Sequence, residues 1–272
     1  MKKGKSKPTV VFESGLDPGG HLPWFKVQDA CSEFATTISY DRSGVLWSER
    51  GHSPKTASAI SEELSLLLAK TECAKPYIIV AHSLAGLFTR NFIVQNKESV
   101  QGVIFVDVSH PEQDERKTKE FREISKPISP WIIRSASALG ILRLFYNKAY
   151  PGTEKEDAIN QTVHALFYNG VSTFLEEQDS MKTFLAESRT YQDFDSIPLR
   201  IITGYSPNRY SEIKNEKLRA EFFNYKMELQ HDLLNLSSQS SQICANESGH
   251  YVQLEQPEII VDQIRELIKL KN

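Results

Sequence analysis

The sequence predicts an α/β protein built on a mostly parallel, doubly wound sheet. Two observations carry that expectation. Short apolar runs at residues 9–13, 35–40, 77–82 and 102–107 alternate with helical patterns. That alternation implies right-handed crossovers and a parallel sheet covered on both faces. The runs at 77–81 and 102–106 are also apolar throughout, as strands buried on both faces must be. In such sheets ligands bind at the carboxyl ends of the strands, where Leu16, Ser83 and Asp107 fall.

Composition bounds the rest. A chain of 272 residues with 40% hydrophobic and 25% charged residues and a formal charge of −3 suits one large domain with an inserted subdomain. That charge balance points to no nucleic acid or membrane as a bulk partner, and no apolar stretch reaches transmembrane length. Cys31, Cys73 and Cys244 lack metal-like spacing and leave one thiol unpaired, which fits a reducing, cytoplasmic compartment. Residues 1–7 are basic, lack the apolar region of a signal peptide and read as a disordered tail. A longer natural N-terminus stays open.

Taken in order, residues 9–13 form a strand that ends in the loop Ser14-Gly15-Leu16-Asp17-Pro18-Gly19-Gly20. Its glycines allow backbone to pass close to a bound group, although a plain turn would need them too. A first helix is expected over 24–34 and a strand over 35–40, followed by Asp41-Arg42-Ser43-Gly44, with Asp41 and Arg42 as ion-pair or turn-stabilising residues. Residues 56–71 place Ile60, Leu64, Leu67 and Leu68 on one helical face. The run Tyr77-Ile78-Ile79-Val80-Ala81-His82 then stops at Ser83, and a helical pattern starts at once. Small neighbours, Ala81, Ala85 and Gly86, fit a close strand-to-helix corner in which Ser83 adopts a strained conformation. An ordinary helix N-cap is the other reading of Ser83. His82, beside it, is expected to point away into packing.

From 109 to 196 the alternation ends. Prolines 111, 127, 130 and 151 punctuate helical pieces carrying Trp131, Ile132, Leu139, Phe145, Tyr146, Phe167, Phe174 and Phe184. Most of these are expected in the core of an inserted helical subdomain. The domain division is therefore 1–108 with 197–272 as the core, and 109–196 as the insertion. A strand returns over 198–204, a charged helical stretch spans 211–236, and a last short strand covers 242–246. His250 follows it, before a helix started by Pro257 with Ile260, Ile264, Leu267 and Ile268 on one face.

The corner Ala81-His82-Ser83-Leu84-Ala85 resembles the nucleophile elbow of the α/β-hydrolase superfamily, with alanine where glycine is commoner at both small positions. His250, after Gly249 and before the final helix, stands where that family keeps its base. The resemblance covers about 9–270 and implies a capped serine hydrolase of the esterase or proline-iminopeptidase-like branch. It implies Ser83 as nucleophile, His250 as general base, and the amides of Leu16 and Leu84 as the oxyanion hole. Residues 109–196 become the cap. The acid is where this chain departs. The family most often places it after the strand ending at Thr203-Gly204, yet no carboxylate follows there until Glu212. Asp107 occupies the place some members use, so Asp107 stands ahead of Glu212, with Asp232 third. The hairpin that usually precedes the first parallel strand also lacks room before Thr9.

The expected activity is cleavage of a carboxylic ester through an acyl-enzyme, on an uncharged and partly hydrophobic small molecule. Amidase, lactonase or aminopeptidase chemistry on the same scaffold, or a non-catalytic ligand sensor, are the alternatives. An aminopeptidase would need cap carboxylates for a substrate ammonium. Glu176, Glu177 and Asp179 are candidates, although a solvated helix face explains them as well. His110 reads as a loop residue. His21, His52, His164 and His231 have no metal-ligand spacing, so neither metal nor cofactor is expected. Oligomeric state is open.

Overall fold

The structure is a computed structural model that describes residues 1–51, 55–126, 128–142 and 149–270. Pro127, Phe145, Tyr146 and His52 of the sequence argument lie outside the described residues. One seven-stranded sheet has the order β1-β3-β2-β4-β5-β6-β7. Its strands are β1 (Lys2–Lys3), β2 (Thr9–Glu13), β3 (Thr36–Ser39), β4 (Tyr77–His82), β5 (Val100–Val106), β6 (Leu199–Gly204) and β7 (Ser240–Ala245). From β2 onward every pairing is parallel.

β1 is antiparallel to β3, with Lys2 opposite Ile38 and Lys3 opposite Thr37. This corrects the reading of 1–7 as a disordered tail. A basic composition does not oppose strand pairing at an edge, because the ammonium groups reach outward while the backbone closes the ladder. Lys2 Nζ donates to the Thr71 carbonyl at 2.7 Å.

The sheet is wound in both directions. The chain passes from β2 to β3 through α1 (Phe25–Ser32), then reverses through α2 (Ala57–Lys70) to β4 and through α3 (Ala85–Gln95) to β5. Winding therefore reverses between β2 and β4, and the loops leaving these strands meet at the switch point, the usual ligand position in such sheets. Alternate side chains feed two apolar cores. Val10, Phe12, Ile78, Val80, Ile104 and Val106 face α1 and α11 (Pro257–Lys269). Val11, Ile79, Phe105 and Ile201 face α2 and α3. Thr56 caps α2, its Oγ1 accepting from the Ala59 amide at 3.1 Å.

Between β5 and β6 lie α4 (Lys119–Ile124), α5 (Pro130–Ala138), α6 (Ala158–Leu166), α7 (Val171–Asp179) and α8 (Met181–Ser188). Phe184 and Leu185 of α8 belong to the same core as Phe88 and Phe105. Trp131 and Ile132 of α5 and Leu139 just after it, expected in a subdomain core, are instead exposed, and no residue of α5 is buried. After β6 come α9 (Glu216–Asp232), β7 and α10 (Val252–Glu255), which leads into α11.

Candidate active site

Ser83 sits at the corner between β4 and α3 with φ +56°, the left-handed region that a non-glycine residue enters at a cost of about 1–3 kcal/mol. Two backbone bonds hold it there. The Ser83 amide donates to the Val106 carbonyl at 3.2 Å, and the Ser109 amide donates to the Ser83 carbonyl at 2.8 Å. The loop after β2 presses against this corner. A methyl on Gly15 would meet Ser83 Cβ at 2.7 Å and the Leu84 nitrogen at 2.9 Å, so only glycine fits. The alternative role of Ser83 as the helix cap does not apply, since Leu84 holds the N-cap position of α3. The Ser83 hydroxyl instead lies 3.0 Å from His250 Nε2.

His250 stands in the turn between β7 and α10. That turn is fixed by close backbone contact, as a methyl on Gly204 would meet the Gly249 carbonyl oxygen at 1.7 Å. The other ring nitrogen, Nδ1, lies 2.5 Å from Asp107 Oδ2. Serine, imidazole and carboxylate thus form one hydrogen-bonded line. Its inner end is buried, with the Asp107 side chain 3% exposed, and its outer end is open, with the His250 side chain 41% exposed.

Asp107 follows β5 directly with φ +46° and has a second partner that the sequence reading did not find. Arg209 Nη1 donates to Oδ1 at 2.7 Å and Nη2 to Oδ2 at 2.6 Å, a bidentate pair. The Gly204 amide also donates to Oδ1 at 3.3 Å. Burial alone would raise the carboxyl pKa, but Arg209 and then His250 overcome it and hold the group well below the usual carboxylate range. Arg209 lies in the segment after β6 where a carboxylate was sought. The charge there is inverted: the strand end contributes the cation that clamps the acid of the neighbouring strand. Glu212 is exposed, and Asp232 pairs with Arg116. Neither hydrogen-bonds His250. We expect Arg209→Met to lose about 3–5 kcal/mol in urea unfolding, because it strands a buried carboxylate.

His82 does not point away from the site. Its ring centroid is 4.5 Å from that of His250, and its Nε2–H donates to the His250 carbonyl at 2.8 Å. Being the residue before Ser83 turns it under the β7–α10 turn, which it braces from below. Burial first, and then the charge on His250, push its pKa from 6.5 down to about 3. Burial and then Arg90 push His110 down to about 4. Both rings stay neutral in the folded chain where the unfolded chain protonates them. Their stabilising share is therefore full above pH 6.5 and is lost as pH falls, by about 1.4 kcal/mol per unit for each ring. We expect the urea midpoint to drop between pH 6.5 and about 4, and less steeply in His110→Asn. That variant keeps an acceptor for the Glu112 amide, which bonds His110 Nδ1 at 3.1 Å.

Leu84 follows Ser83, and Leu16 follows the Gly15 that touches it. Among the described residues neither backbone amide donates a hydrogen bond. Arg42 is ion-paired with Glu13 at 2.9 Å, and Asp41 stabilises the neighbouring turn, its Oδ1 accepting from the His21 amide at 3.0 Å and lying 2.8 Å from His21 Nδ1. The three carboxylates of α7 are not a solvated face with free acids. Glu177 is 2% exposed on Arg42, while Glu176 pairs with Arg50 and Asp179 with Arg134. A buried arginine reaching across from the β3 loop is what sequence periodicity cannot reveal. No group of three or more potential metal ligands occurs among the described residues, and none of their helices is long and apolar enough to cross a membrane.

A family model described as alpha/beta hydrolase fold matches residues 8–129, which include Gly15, Ser83 and Asp107. The chain has the α/β-hydrolase fold. Over 97% of its length this chain is 24% identical to an "AB hydrolase superfamily protein" of Gibberella zeae, 87% of which is covered. Two solved structures share its fold. One comes from work on carboxylesterases of Nitrososphaera gargenis (TM-score 0.66, 15% identity, 99% of this chain and 93% of that chain). The other is a thermophilic esterase from Thermogutta terrifontis (TM-score 0.65, 15% identity, 99% of this chain and 92% of that chain).

Proposed function

We propose that this chain is a serine hydrolase that cleaves a carboxylic ester through an acyl-enzyme. The observation that carries the reading is the continuous line from Ser83 Oγ through His250 to Asp107, with spacings of 3.0 and 2.5 Å. In this mechanism His250 Nε2 takes the hydroxyl proton as Ser83 Oγ attacks the substrate carbonyl carbon. The Leu84 and Leu16 amides hold the resulting oxyanion. His250 then gives the proton to the leaving alcohol, and water repeats the sequence to release the acid. Asp107 keeps the Nδ1 proton in place throughout, so that Nε2 is free to accept. Residues 109–196, which carry α4 to α8, act as the cap, with α8 rooted in the main core. The substrate is uncharged and partly hydrophobic, and the similar structures described as esterases favour an ester.

The aminopeptidase alternative has less support. The three α7 carboxylates it would use are each engaged by an arginine. The experiment is to treat the protein with a fluorophosphonate probe and to assay esters, amides and lactones side by side. Labelling at Ser83 together with fastest turnover of an ester is the expected result. No labelling, or labelling without turnover of any of the three, would replace the enzyme with a ligand sensor.

A further inference from the structure

Arg42 lies behind the loop that presses on the elbow, and all five of its N–H donors are used. Nε and one Nη2–H donate to Glu177 Oε1 and Oε2 at 2.9 and 2.8 Å. Nη1 donates to Glu13 Oε1 at 2.9 Å and to the Ser14 carbonyl. The second Nη2–H donates to the Gly15 carbonyl at 2.8 Å. The guanidinium carbon lies 4.8 Å from the centre of the Phe88 ring on α3. This side chain therefore joins β2, the loop after it, the elbow helix and α7 in one buried cluster.

Its grip on the loop has a directional consequence. The cis peptide bonds of the described chain are at Pro8 and Pro76, so the Gly15–Leu16 peptide is trans, with its C=O and N–H pointing opposite ways. The Gly15 oxygen is drawn to Arg42 and to the Asp17 amide, at 2.8 and 3.0 Å. The Leu16 N–H on the same peptide then faces away from the guanidinium. The elbow packs directly on this segment, with room for no side chain at Gly15.

We propose that Arg42 is a positioning residue for the oxyanion hole. By holding the Ser14 and Gly15 carbonyls it aims the Leu16 amide, and through Glu177 it makes that aim depend on α7 being docked. The inference rests on the acyl-transfer reading above. Lysine cannot substitute, because a single ammonium has no planar fork with which to reach two carbonyls and two carboxylates. A purely structural Arg42 would support folding without affecting the chemical step.

The test compares wild type, Arg42→Lys, and the triple variant Glu13→Gln/Arg42→Met/Glu177→Met, which removes the charges together so that none is left buried alone. Turnover of a chromogenic ester is measured per site titrated to completion with the fluorophosphonate, which separates kcat from the folded fraction. Affinity for phenylboronic acid, whose serine adduct is tetrahedral, is measured alongside. We expect kcat per site to fall about 10²–10³-fold, as for loss of one oxyanion donor. Boronate affinity falls in step, while KM stays within about threefold. Variants whose kcat per site and boronate affinity stay within about threefold of wild type would overturn the proposal. So would a triple variant that fails to fold, which assigns Arg42 to stability. If wild type neither labels at Ser83 nor cleaves an ester, it is the acyl-transfer reading that has failed. If wild type does both and the variants match it, only the role of Arg42 is lost.

Discussion

Ser83→Ala is expected to lower kcat for a chromogenic short-chain ester by about 10⁴–10⁶-fold and to end fluorophosphonate labelling, with the unfolding midpoint almost unmoved. The two halves of this expectation have separate causes. The chemistry needs an oxygen that can be deprotonated by His250 and can bond to carbon, and alanine offers none. The fold needs the corner's backbone, which is held by the Val106 carbonyl and the Ser109 amide, and neither bond involves the hydroxyl. Alanine meets the same left-handed strain at φ +56° as serine does. The change is read from initial rates with a thermal melt beside them. A variant that folds and keeps wild-type turnover would remove Ser83 as nucleophile.

Asp107→Asn is expected to lower kcat per titrated site by about 10⁴-fold, the scale of losing the imidazole's correct tautomer. Arg209 makes the outcome specific. Its guanidinium has only donors, so the asparagine oxygen turns to it and the NH₂ group faces His250 Nδ1. Nδ1 must then accept, the imidazole proton moves to Nε2, and Nε2 cannot take the proton of Ser83. The variant also leaves Arg209 buried without its carboxylate, and a stability loss of about 3–5 kcal/mol accompanies the kinetic one. Counting sites by titration separates the two. Glu212→Gln, altering an exposed carboxylate that does not bond His250, should leave kcat within about twofold. Loss of turnover in Glu212→Gln with activity kept in Asp107→Asn would reverse the assignment of the acid.

These expectations differ in how far the sequence supports them. Ser83 was legible because the corner is a local event: a β-branched run, small residues and an immediate helix specify the strain within ten residues. His250 was legible from its place between the last strand and a proline-started helix. Which carboxylate meets His250 was not resolved, since Asp107, Glu212 and Asp232 are all carboxylates in acceptable chain order. Distance to an imidazole chooses among them, and order alone says nothing of distance. Arg209 was missed although a signal existed, in that a basic residue occupied a segment where an acid was expected. His82 was misjudged because strand alternation predicts which face a side chain takes, not what the chain's far end brings to that face. Glu177 read as a surface carboxylate because its partner lies 135 residues away.

What the sequence determined by itself was the six parallel strands, the helices that alternate with them and the strained serine, since each follows from backbone sterics or apolar periodicity over neighbouring residues, whereas the antiparallel edge strand β1 does not. The tertiary structure alone decided the site's contacts, which join residues 167, 143 and 102 positions apart: Ser83 with His250, His250 with Asp107, and Arg209 with Asp107. The physical reason is range. Torsional preference and burial act on adjacent residues and leave a trace in their order, whereas a hydrogen bond of about 3 Å is specified only when the packed sheet sets the separation of its strand ends.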